Sequence, residues 1–366
     1  MIIPTLDQIG GAERQVLVLA KELLAHDWRV TIVALSGSLM GSQVLQEGDG
    51  SERRIEHVCL AMRKAWIDPF GWLGYLAWHR NNRPDVVHAH LPHAIWFARW
   101  VRLLAPVPVL IGTIHTSKAP RLSGLWGYRL SEWLSTRTTC VSAAVAGAIA
   151  AACTVPENKL IVVPNGVPIP DIQFRKERAS ENFVWIAVGR LAPVKDYPTL
   201  LRAFAGLSDS AKLIIVGSGS DEWDLKHLSC ELGIVDRVEF AGFRDDVQSL
   251  LWKADAFVLS SLWEGLPICV LEASATGLPV VATDGLGTRA ALIPDRTGFI
   301  VPVGDSDSLM SAMARMMTMT TQEQRSIGDA GREFVRDGFA IPQVGKTWVR
   351  LYTELLEISP RPRRWH

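Results

Sequence analysis

The chain has 366 residues, of which 48% are hydrophobic and 21% charged, so the composition excludes a disordered chain and can fill two cores. Lysine plus arginine number 38, as do aspartate plus glutamate, and this balance gives no reason to expect a nucleic-acid partner. The charge is unevenly distributed, because residues 53–137 contain 12 basic and 4 acidic side chains, together with 7 of the 14 tryptophans. This basic, tryptophan-rich region requires an explanation.

The cysteines and the first residues indicate a cytoplasmic protein. Five cysteines at scattered spacings, without a CxxC pair, are typical of reduced thiols. The opening MIIPTLDQIGGAER lacks the regions of a signal peptide, and the short stretch before Pro4 predicts an incomplete first strand or N-terminus. The uncharged run Thr138–Val155 is long enough for a membrane span, but its alanine-rich composition favours a strand followed by a helix.

Predicted strands and helices alternate along the whole chain, which favours parallel sheets covered on both faces. The predicted strands are Val30–Leu35, Val86–His88, Val107–Ile114, Leu160–Val163, Val184–Val188, Lys212–Val216, Arg237–Ala241, Ala256–Leu259, Pro279–Ala282 and Gly298–Val301. The predicted helices include Glu13–His26, Pro198–Gly206, Leu266–Thr276 and Asp307–Met317. Three prolines between 164 and 170 mark the best boundary. We therefore predict an α/β fold of two Rossmann-like doubly wound parallel-sheet domains, 1–168 and 169–340, facing a ligand-binding cleft.

Two features of the first domain are candidate ligand contacts. Gly10 and Gly11 precede a predicted helix, whose N-terminus could face an anion, although an ordinary tight turn gives the same pattern. His115 follows a buried strand at its carboxyl end, where it could face the cleft or be a hydrogen-bonded structural residue.

The second domain places two cations in one loop at the end of a strand. Arg190 and Lys195 lie in VGRLAPVKD, just before a helix that we expect Asp196 to cap. Two fixed cations there could stabilise the negative charge of a departing nucleoside diphosphate. The alternative is a pair of solvated surface charges.

The strongest signal is EGLPICVLEA at 264–273, which places two carboxylates on either side of a predicted helix start. Glu264 and Glu272 are eight positions apart, so in a helix their carboxylates would be on the order of 12 Å apart, too far to straddle one glycosidic bond. They are better spaced to hold two ends of an extended ligand, and the helix N-terminus could bind a phosphate.

Three other motifs are weaker. VGSG at 216–219 fails the dinucleotide fingerprint because Glu222 occupies the third glycine position. His88 and His90 alternate at a strand end, which suits cleft-lining residues better than a metal site. Asp305-Ser306-Asp307 resembles a metal-binding DxD motif, but its position before a helix favours an N-cap.

The order of these motifs carries a resemblance that covers nearly the whole chain. The matching stretches are GGAER at 10–14, DVVHAHL at 85–91, TIHT at 113–116, VPNGV at 163–167, VGRLAPVKD at 188–196, LIIVGSG at 213–219, VEFAGFRDDV at 238–247 and EGLPICVLEA at 264–273. Together they resemble glycosyltransferase family 4, retaining enzymes of the GT-B fold, and in particular bacterial surface-polysaccharide glycosyltransferases. The resemblance also implies that a C-terminal helix within 341–366 crosses back onto the first domain.

The resemblance implies a role for each matching residue. Arg190 and Lys195 would hold the donor diphosphate, Glu264 the sugar hydroxyls and Glu272 the ribose hydroxyls. Gly11 would let the first domain approach the diphosphate, and His115 would orient the transferred sugar. The remaining contacts would come from backbone groups at Phe243 for the base, and at Gly265, Leu266, Pro267 and Ile268 for phosphate or sugar.

The resemblance further implies a nucleotide-sugar donor, UDP- or GDP-linked, with no metal and no cofactor. The acceptor would be a glycan or a polyprenyl-linked sugar bound by the first domain. Mixed basic and aromatic residues there, including Lys64, Trp66, Lys118, Arg121 and Trp126, suit peripheral contact with an anionic membrane, unless the tryptophans are core residues. The alternatives are a sugar-nucleotide epimerase of the same fold and a non-catalytic sugar-nucleotide-binding protein.

Overall fold

The computed structural model describes residues 1–7, 10–37, 44–46, 52–63, 68–115, 128–152, 154–171 and 182–359. The chain divides into two compact units, of which unit 1 comprises Met1–Gly166 with Ile341–His366 and unit 2 comprises Val167–Ala340. The chain leaves unit 1 after Gly166, slightly before the predicted boundary at 168, and the C-terminal segment belongs to unit 1.

Unit 1 is built on a parallel sheet whose described strands lie in the order β5-β2-β1-β6-β7-β8-β9. The strands are β1 (Ile2–Ile3), β2 (Thr31–Ala34), β5 (Glu56–Cys59), β6 (Val86–His90), β7 (Val109–Ile114), β8 (Arg137–Cys140) and β9 (Leu160–Val162). A separate antiparallel pair is formed by β3 (Val44–Gln46) and β4 (Glu52–Arg54). The helices are α1 (Gly11–Ala25), α2 (Pro69–Asn82), α3 (Pro92–Val101), α4 (Ala143–Ala151) and, from the C-terminal segment, α11 (Ile341–Ile358).

Unit 2 has its own parallel sheet, with the described strands in the order β12-β11-β10-β13-β14-β15. They are β10 (Phe183–Val188), β11 (Ala211–Val216), β12 (Val238–Gly242), β13 (Ala256–Leu259), β14 (Val280–Thr283) and β15 (Gly298–Val301). The helices are α5 (Tyr197–Ala205), α6 (Glu222–Glu231), α7 (Val247–Leu251), α8 (Ile268–Ala275), α9 (Ser306–Thr318) and α10 (Thr321–Phe339). The parallel sheets and covering helices confirm the predicted α/β class.

The central strands are apolar because helices cover both faces of each sheet. All residues of β7, β13 and β14 are buried. In unit 1, the amphipathic helices α1 and α11 pack over the sheet and contribute Val16, Leu23, Trp348 and Leu355 to one core. In unit 2, α5 and α9 contribute Leu200, Phe204, Leu309 and Met313 to another.

Each sheet contains a point at which the strand order reverses. The first strand of each unit, β1 or β10, lies inside its sheet, and the chain builds outward from it first on one side and then on the other. The reversal falls between β1 and β6 in unit 1 and between β10 and β13 in unit 2. Loops that leave neighbouring strands at such a point diverge to opposite faces and open a crevice at the carboxyl ends.

Part of the basic region is structural, since Arg99 of α3 is fully buried. Its guanidinium pairs with the Glu132 carboxylate and donates to the Ser135 hydroxyl at 2.7 Å, the Tyr128 carbonyl at 3.1 Å and the Ser131 hydroxyl at 3.2 Å. Burial lowers the pKa of Arg99, partly offset by the Glu132 charge. This network joins α3 to residues 128–135. It depends on the planar guanidinium with its five N–H donors, which a lysine could not replace.

We expect Glu132→Ala to destabilise the protein by about 3–5 kcal/mol, because it leaves the buried Arg99 charge without its partner. The exposed pair Arg350–Glu354 in the same unit provides the control, and Glu354→Ala should change the unfolding free energy by less than about 0.5 kcal/mol. Urea unfolding followed by circular dichroism measures both. Equal effects for the two variants would contradict the structural role of the buried pair.

Candidate active site

The loops that follow β10 and β13 bring a lysine and a glutamate together at the reversal point of unit 2. Lys195 Nζ donates a hydrogen bond to Glu264 Oε1 at 2.6 Å. The side chains are only 17% and 15% exposed, so the pair is shielded from solvent but still accessible from one side. The sequence predicted both residues as ligand contacts but did not predict that they pair with each other.

The two loops are tied together through their backbones. The Ser260 hydroxyl donates to the Lys195 carbonyl at 2.7 Å, and the Leu262 N–H donates to the Val194 carbonyl at 2.9 Å. Because these bonds connect the loop carrying the lysine with the loop carrying the glutamate, the charged pair is held by a preformed scaffold. The hydrogen bonds of this scaffold were not predicted, since they join residues 65 to 69 positions apart.

Two glycines permit neighbouring loops to approach this scaffold closely. A Cβ at Gly217, whose φ is +138°, would lie 2.0 Å from the Gly189 carbonyl oxygen, and one at Gly287 would lie 2.3 Å from the Gly265 carbonyl oxygen. Only glycine fits such contacts. The VGSG motif, which fails as a dinucleotide fingerprint, therefore supports the loop that carries Lys195.

The surroundings of Lys195 raise its pKa. Burial by itself would lower the pKa of Lys195, but the negative forms of Cys269 and Glu264 outweigh burial and the repulsion by Arg190, so the pKa of Lys195 is raised. Burial raises the pKa of the Cys269 thiol to about 11, so at pH 7 this cysteine is neutral and Glu264 is the partner that offsets the burial of Lys195. Lys195 is accordingly a cation at neutral pH, poised to bind an anion or to hold a carboxylate in place.

The helix after Glu264 begins later than predicted. Helix α8 starts at Ile268, with Pro267 as its N-cap residue, whereas we expected the helix to start at Leu266. Residues 265–267 are therefore loop, and the 12 Å separation expected for eight helical residues does not apply. Pro267 has no N–H and cannot donate to a ligand, which leaves Gly265, Leu266 and Ile268 as the backbone donors of this segment. Glu272 is half-buried on α8, one turn into the helix.

The other predicted donor contacts lie at the same edge of the unit 2 sheet. Arg190 follows β10 and is exposed, and Phe243 follows β12 with 67% of its surface exposed. Asp196 occupies the N-cap position of α5 with a left-handed φ of 46°, but its side chain makes no capping hydrogen bond, which corrects the predicted cap. Its carbonyl instead accepts from the Thr199 N–H at 3.1 Å.

In unit 1, the predicted glycine pair does open a helix. Gly11 is the first residue of α1 and is exposed, and the Gly10 N–H donates to the Glu13 carboxylate at 3.1 Å. The Gly10 N–H is therefore already hydrogen-bonded within the turn. The bond is the one that the glutamate of a capping box makes to the N-cap residue. The segment lies at the carboxyl end of β1, beside the reversal point.

Histidine 88 is a structural residue rather than a cleft-lining one. Its Nδ1 lies 2.6 Å from the Tyr352 hydroxyl and its Nε2 2.5 Å from the Thr113 hydroxyl, which in turn lies 2.6 Å from that of Thr139. Burial holds the pKa of His88 well below its ordinary value, so the ring is neutral. Its partners could not be predicted because Tyr352 belongs to α11, 264 positions away.

His90 and His115 form a second pair at the carboxyl ends of β6 and β7. His90 Nδ1 lies 3.1 Å from His115 Nε2, and the ring centroids are 5.4 Å apart. Burial lowers the pKa of His115 to about 4 and holds that of His90 well below its ordinary value, so both rings are neutral at pH 7. The pairing of His115 with His90 was not predicted, although both motifs were singled out.

The remaining sequence predictions have simple outcomes. Asp305 caps α9, accepting from the N–H groups of Asp307 at 3.1 Å and Ser308 at 2.9 Å, so the N-cap interpretation of the DxD motif is confirmed. Among the described residues, no group of three histidine, cysteine, aspartate or glutamate side chains could hold a metal ion. The run Thr138–Val155 forms part of β8 and then α4, and no described helix has the length and apolarity needed to span a bilayer.

Comparison with protein families assigns both halves of the chain. Residues 9–169 match the model of Glycosyltransferase Family 4, and residues 168–334 match that of Glycosyl transferases group 1. The chain is 28% identical over 260 residues to the UDP-Gal:alpha-D-GlcNAc-diphosphoundecaprenol alpha-1,3-galactosyltransferase of Escherichia coli, covering 65% of this chain and 67% of that protein. It is 28% identical over 365 residues to the phosphatidyl-myo-inositol mannosyltransferase of Mycobacterium leprae, covering 92% and 91%.

Solved structures give the same fold. HepE of Anabaena in complex with UDP-glucose superimposes with a TM-score of 0.80 at 20% identity, covering 96% of this chain and 98% of that one. Sucrose-phosphate synthase of Thermosynechococcus elongatus superimposes with a TM-score of 0.84 at 21% identity, covering 98% and 99%. With both halves matched to glycosyltransferase models and the whole chain to this architecture, the protein belongs to glycosyltransferase family 4 and has the GT-B fold.

Proposed function

We propose that this glycosyltransferase transfers a hexose, with retention of configuration and without a metal, from a UDP- or GDP-sugar to a glycan or lipid-linked acceptor in cell-surface polysaccharide biosynthesis. The proposal is supported by relatives whose names specify a diphosphoundecaprenol-linked or a phosphatidyl-inositol acceptor, and by a neighbour crystallised with UDP-glucose. No cofactor is proposed, since the nucleotide sugar is a co-substrate.

The observation that carries the proposal is the Lys195–Glu264 pair at the reversal point of unit 2. We assign Lys195, with the exposed Arg190 in the same loop, to the donor diphosphate. Departure of a nucleoside diphosphate places negative charge on its terminal phosphate, and a preformed, shielded ammonium stabilises that charge more than solvent would. Glu264 holds the lysine in place and accepts from sugar hydroxyls, so one pair can position both sides of the bond that breaks.

The other donor contacts are assigned along the same sheet edge. Glu272 on α8 accepts from ribose hydroxyls, and backbone near Phe243 contacts the base. The donors at Gly265, Leu266 and Ile268 face phosphate or sugar, where the positive end of a helix favours an anion. In unit 1, Gly11 is assigned to the diphosphate and His115 to the transferred sugar. We assign no covalent nucleophile, and the departing phosphate receives the acceptor proton.

We further propose that unit 1 rests on the cytoplasmic face of an anionic membrane. The described part of unit 1 exposes large apolar side chains on neighbouring segments, at 82% for Phe70, 63% for Leu73 and 66% for Trp133. The rings of Trp72 and Phe97 join α2 to α3, and the Arg99 network joins α3 to the segment carrying Trp133. Exposed arginines lie on the same segments, at Arg80, Arg83 and Arg129. This mixture suits a headgroup interface.

The described tryptophans of the basic region divide into two groups. Trp133 is exposed, whereas Trp72, Trp78, Trp96 and Trp100 are half-buried against the helices. Five basic and aromatic residues that the sequence singled out lie outside the described residues, namely Lys64, Trp66, Lys118, Arg121 and Trp126.

We expect Lys195→Ala to lower turnover by about 10²–10³-fold in EDTA, because it removes a fixed donor from the developing phosphate charge. The assay offers UDP-, GDP- and ADP-sugars with lipid-linked acceptors and measures nucleotide release. Lys226→Ala is the control, since Lys226 makes an exposed pair with Glu222 and should retain wild-type turnover. Epimerised sugar without transfer would select the epimerase instead, and binding without turnover would indicate a non-catalytic protein.

Replacing Phe70, Leu73 and Trp133 together by glutamine should lower partitioning onto phosphatidylglycerol-containing vesicles by at least about tenfold, because each apolar side chain contributes on the order of 1 kcal/mol when buried. Vesicle sedimentation measures the bound fraction. Trp223→Gln in unit 2 is the matched control, since Trp223 is 73% exposed. Binding that is unchanged in the triple variant, or lost equally in the control, would contradict the proposed surface.

A further inference from the structure

The histidine pair of unit 1 contains two buried nitrogen atoms that bind nothing in the described structure. His90 Nε2 and His115 Nδ1 are shielded from solvent and have no hydrogen-bond partner there. His90 is only 2% exposed. A buried polar atom without a partner destabilises the folded state, so two such atoms in one pair require a reason. Both rings line a pocket in unit 1 together with Gln15, Asn165 and Trp348.

Because both rings are neutral, it can be worked out whether their outward nitrogens donate or accept a hydrogen bond. Each neutral ring carries one N–H and one bare nitrogen. Since His90 Nδ1 and His115 Nε2 face each other at 3.1 Å, one of them donates and the other accepts. In either arrangement, the two outward atoms, His90 Nε2 and His115 Nδ1, are then one donor and one acceptor. Because the rings meet end to end, with centroids 5.4 Å apart, the two outward atoms point away from each other and each takes a separate partner. A sugar hydroxyl, which can either donate or accept, complements His115 Nδ1 in either arrangement.

His90 is itself held firmly from behind. The ring of His88 stacks against it with centroids 3.9 Å apart and a 36° angle between the planes. His88 is fixed in turn through both nitrogens by Tyr352 and Thr113. Because His88 already uses both of its nitrogens, it orients His90 by packing and leaves the outward nitrogen of His90 free for another partner.

We propose that His90 is a positioning residue that fixes the orientation of His115 and couples the tautomer of His115 to its own, so that His115 Nδ1 is presented to a hydroxyl of the sugar. This inference rests on the proposed role of His115 at the transferred sugar. It adds a residue from β6 to a site otherwise attributed to the loops after β1 and β7. It also gives the DVVHAHL segment a division of roles, with His88 structural and His90 acting on His115.

Two substitutions of His90 separate positioning from packing. His90→Asn keeps an amide atom close to the place of Nδ1 and so retains the contact with His115, whereas His90→Phe keeps the ring that packs on His88 but has no nitrogen. His227→Asn is the control, because His227 is an exposed histidine of unit 2. Thermal unfolding shows which variants are folded before they are compared.

The first readout is the hydrogen bonding of His115 Nε2, observed through the ring nitrogens of ¹⁵N-histidine-labelled full-length protein at pH 7. We expect ring-nitrogen signals of a hydrogen-bonded His115 Nε2 in the wild type, in His90→Asn and in His227→Asn, and signals without that hydrogen bond in His90→Phe. His115 signals in His90→Phe that match those of the wild type would overturn the proposal. This readout needs no substrate, so it decides the positioning role even if the proposed transferase activity fails.

The second readout is turnover of UDP-glucose, UDP-galactose and GDP-mannose. His90→Phe and His115→Phe should each lower kcat by at least about tenfold, as expected when a group that orients the substrate is misplaced. The double variant should be no slower than the slower single variant, because both changes remove the same interaction. Multiplicative losses in the double variant, or full activity of His90→Phe, would overturn the proposal.

Discussion

The constraint on which both units depend is the placement of the first strand of each unit inside its sheet. Because β1 and β10 have neighbours on both sides, the loop that follows each one diverges from the loop of the strand next to it across the reversal point. In unit 2 this brings the Lys195 loop beside the Glu264 loop. In unit 1 it places the start of α1 beside the end of β6, where His90 lies. The strand order therefore determines where the loops carrying the candidate site residues lie, before any side-chain contact is considered.

The residues at the two reversal points differ in charge. In unit 2 Lys195 stays a cation, because its hydrogen bond and charge interaction with Glu264 help to offset its desolvation. Unit 1 keeps its histidines neutral, because burial lowers the pKa of His115 to about 4. A charged pair suits an anionic diphosphate, and neutral rings suit uncharged hydroxyls.

The sequence predicted most strands because long β-branched runs are required wherever a parallel strand is covered on both faces. It missed β3, β4 and β5, whose segments are short and polar, such as Glu52–Arg54. It placed the start of α8 too early because Leu266 continues the apolar pattern that Pro267 interrupts. The candidate site was predicted at the level of loops, since motifs are local. The pairings Lys195–Glu264, His90–His115 and Arg99–Glu132 were not, because each joins segments 25 or more residues apart.

An unpartnered buried nitrogen does not by itself indicate a ligand, and Trp185 shows why. Its Nε1 is also buried without a partner in the described structure, but it lies in the apolar core of unit 2, beside Phe183. The indole N–H is left without a partner there because the large ring fills an apolar core. The histidine pair differs because its two open atoms belong to rings already bonded to each other and lining one pocket. Packing alone would favour apolar rings at both positions, so the retained nitrogens are best explained by a hydroxyl that binds there.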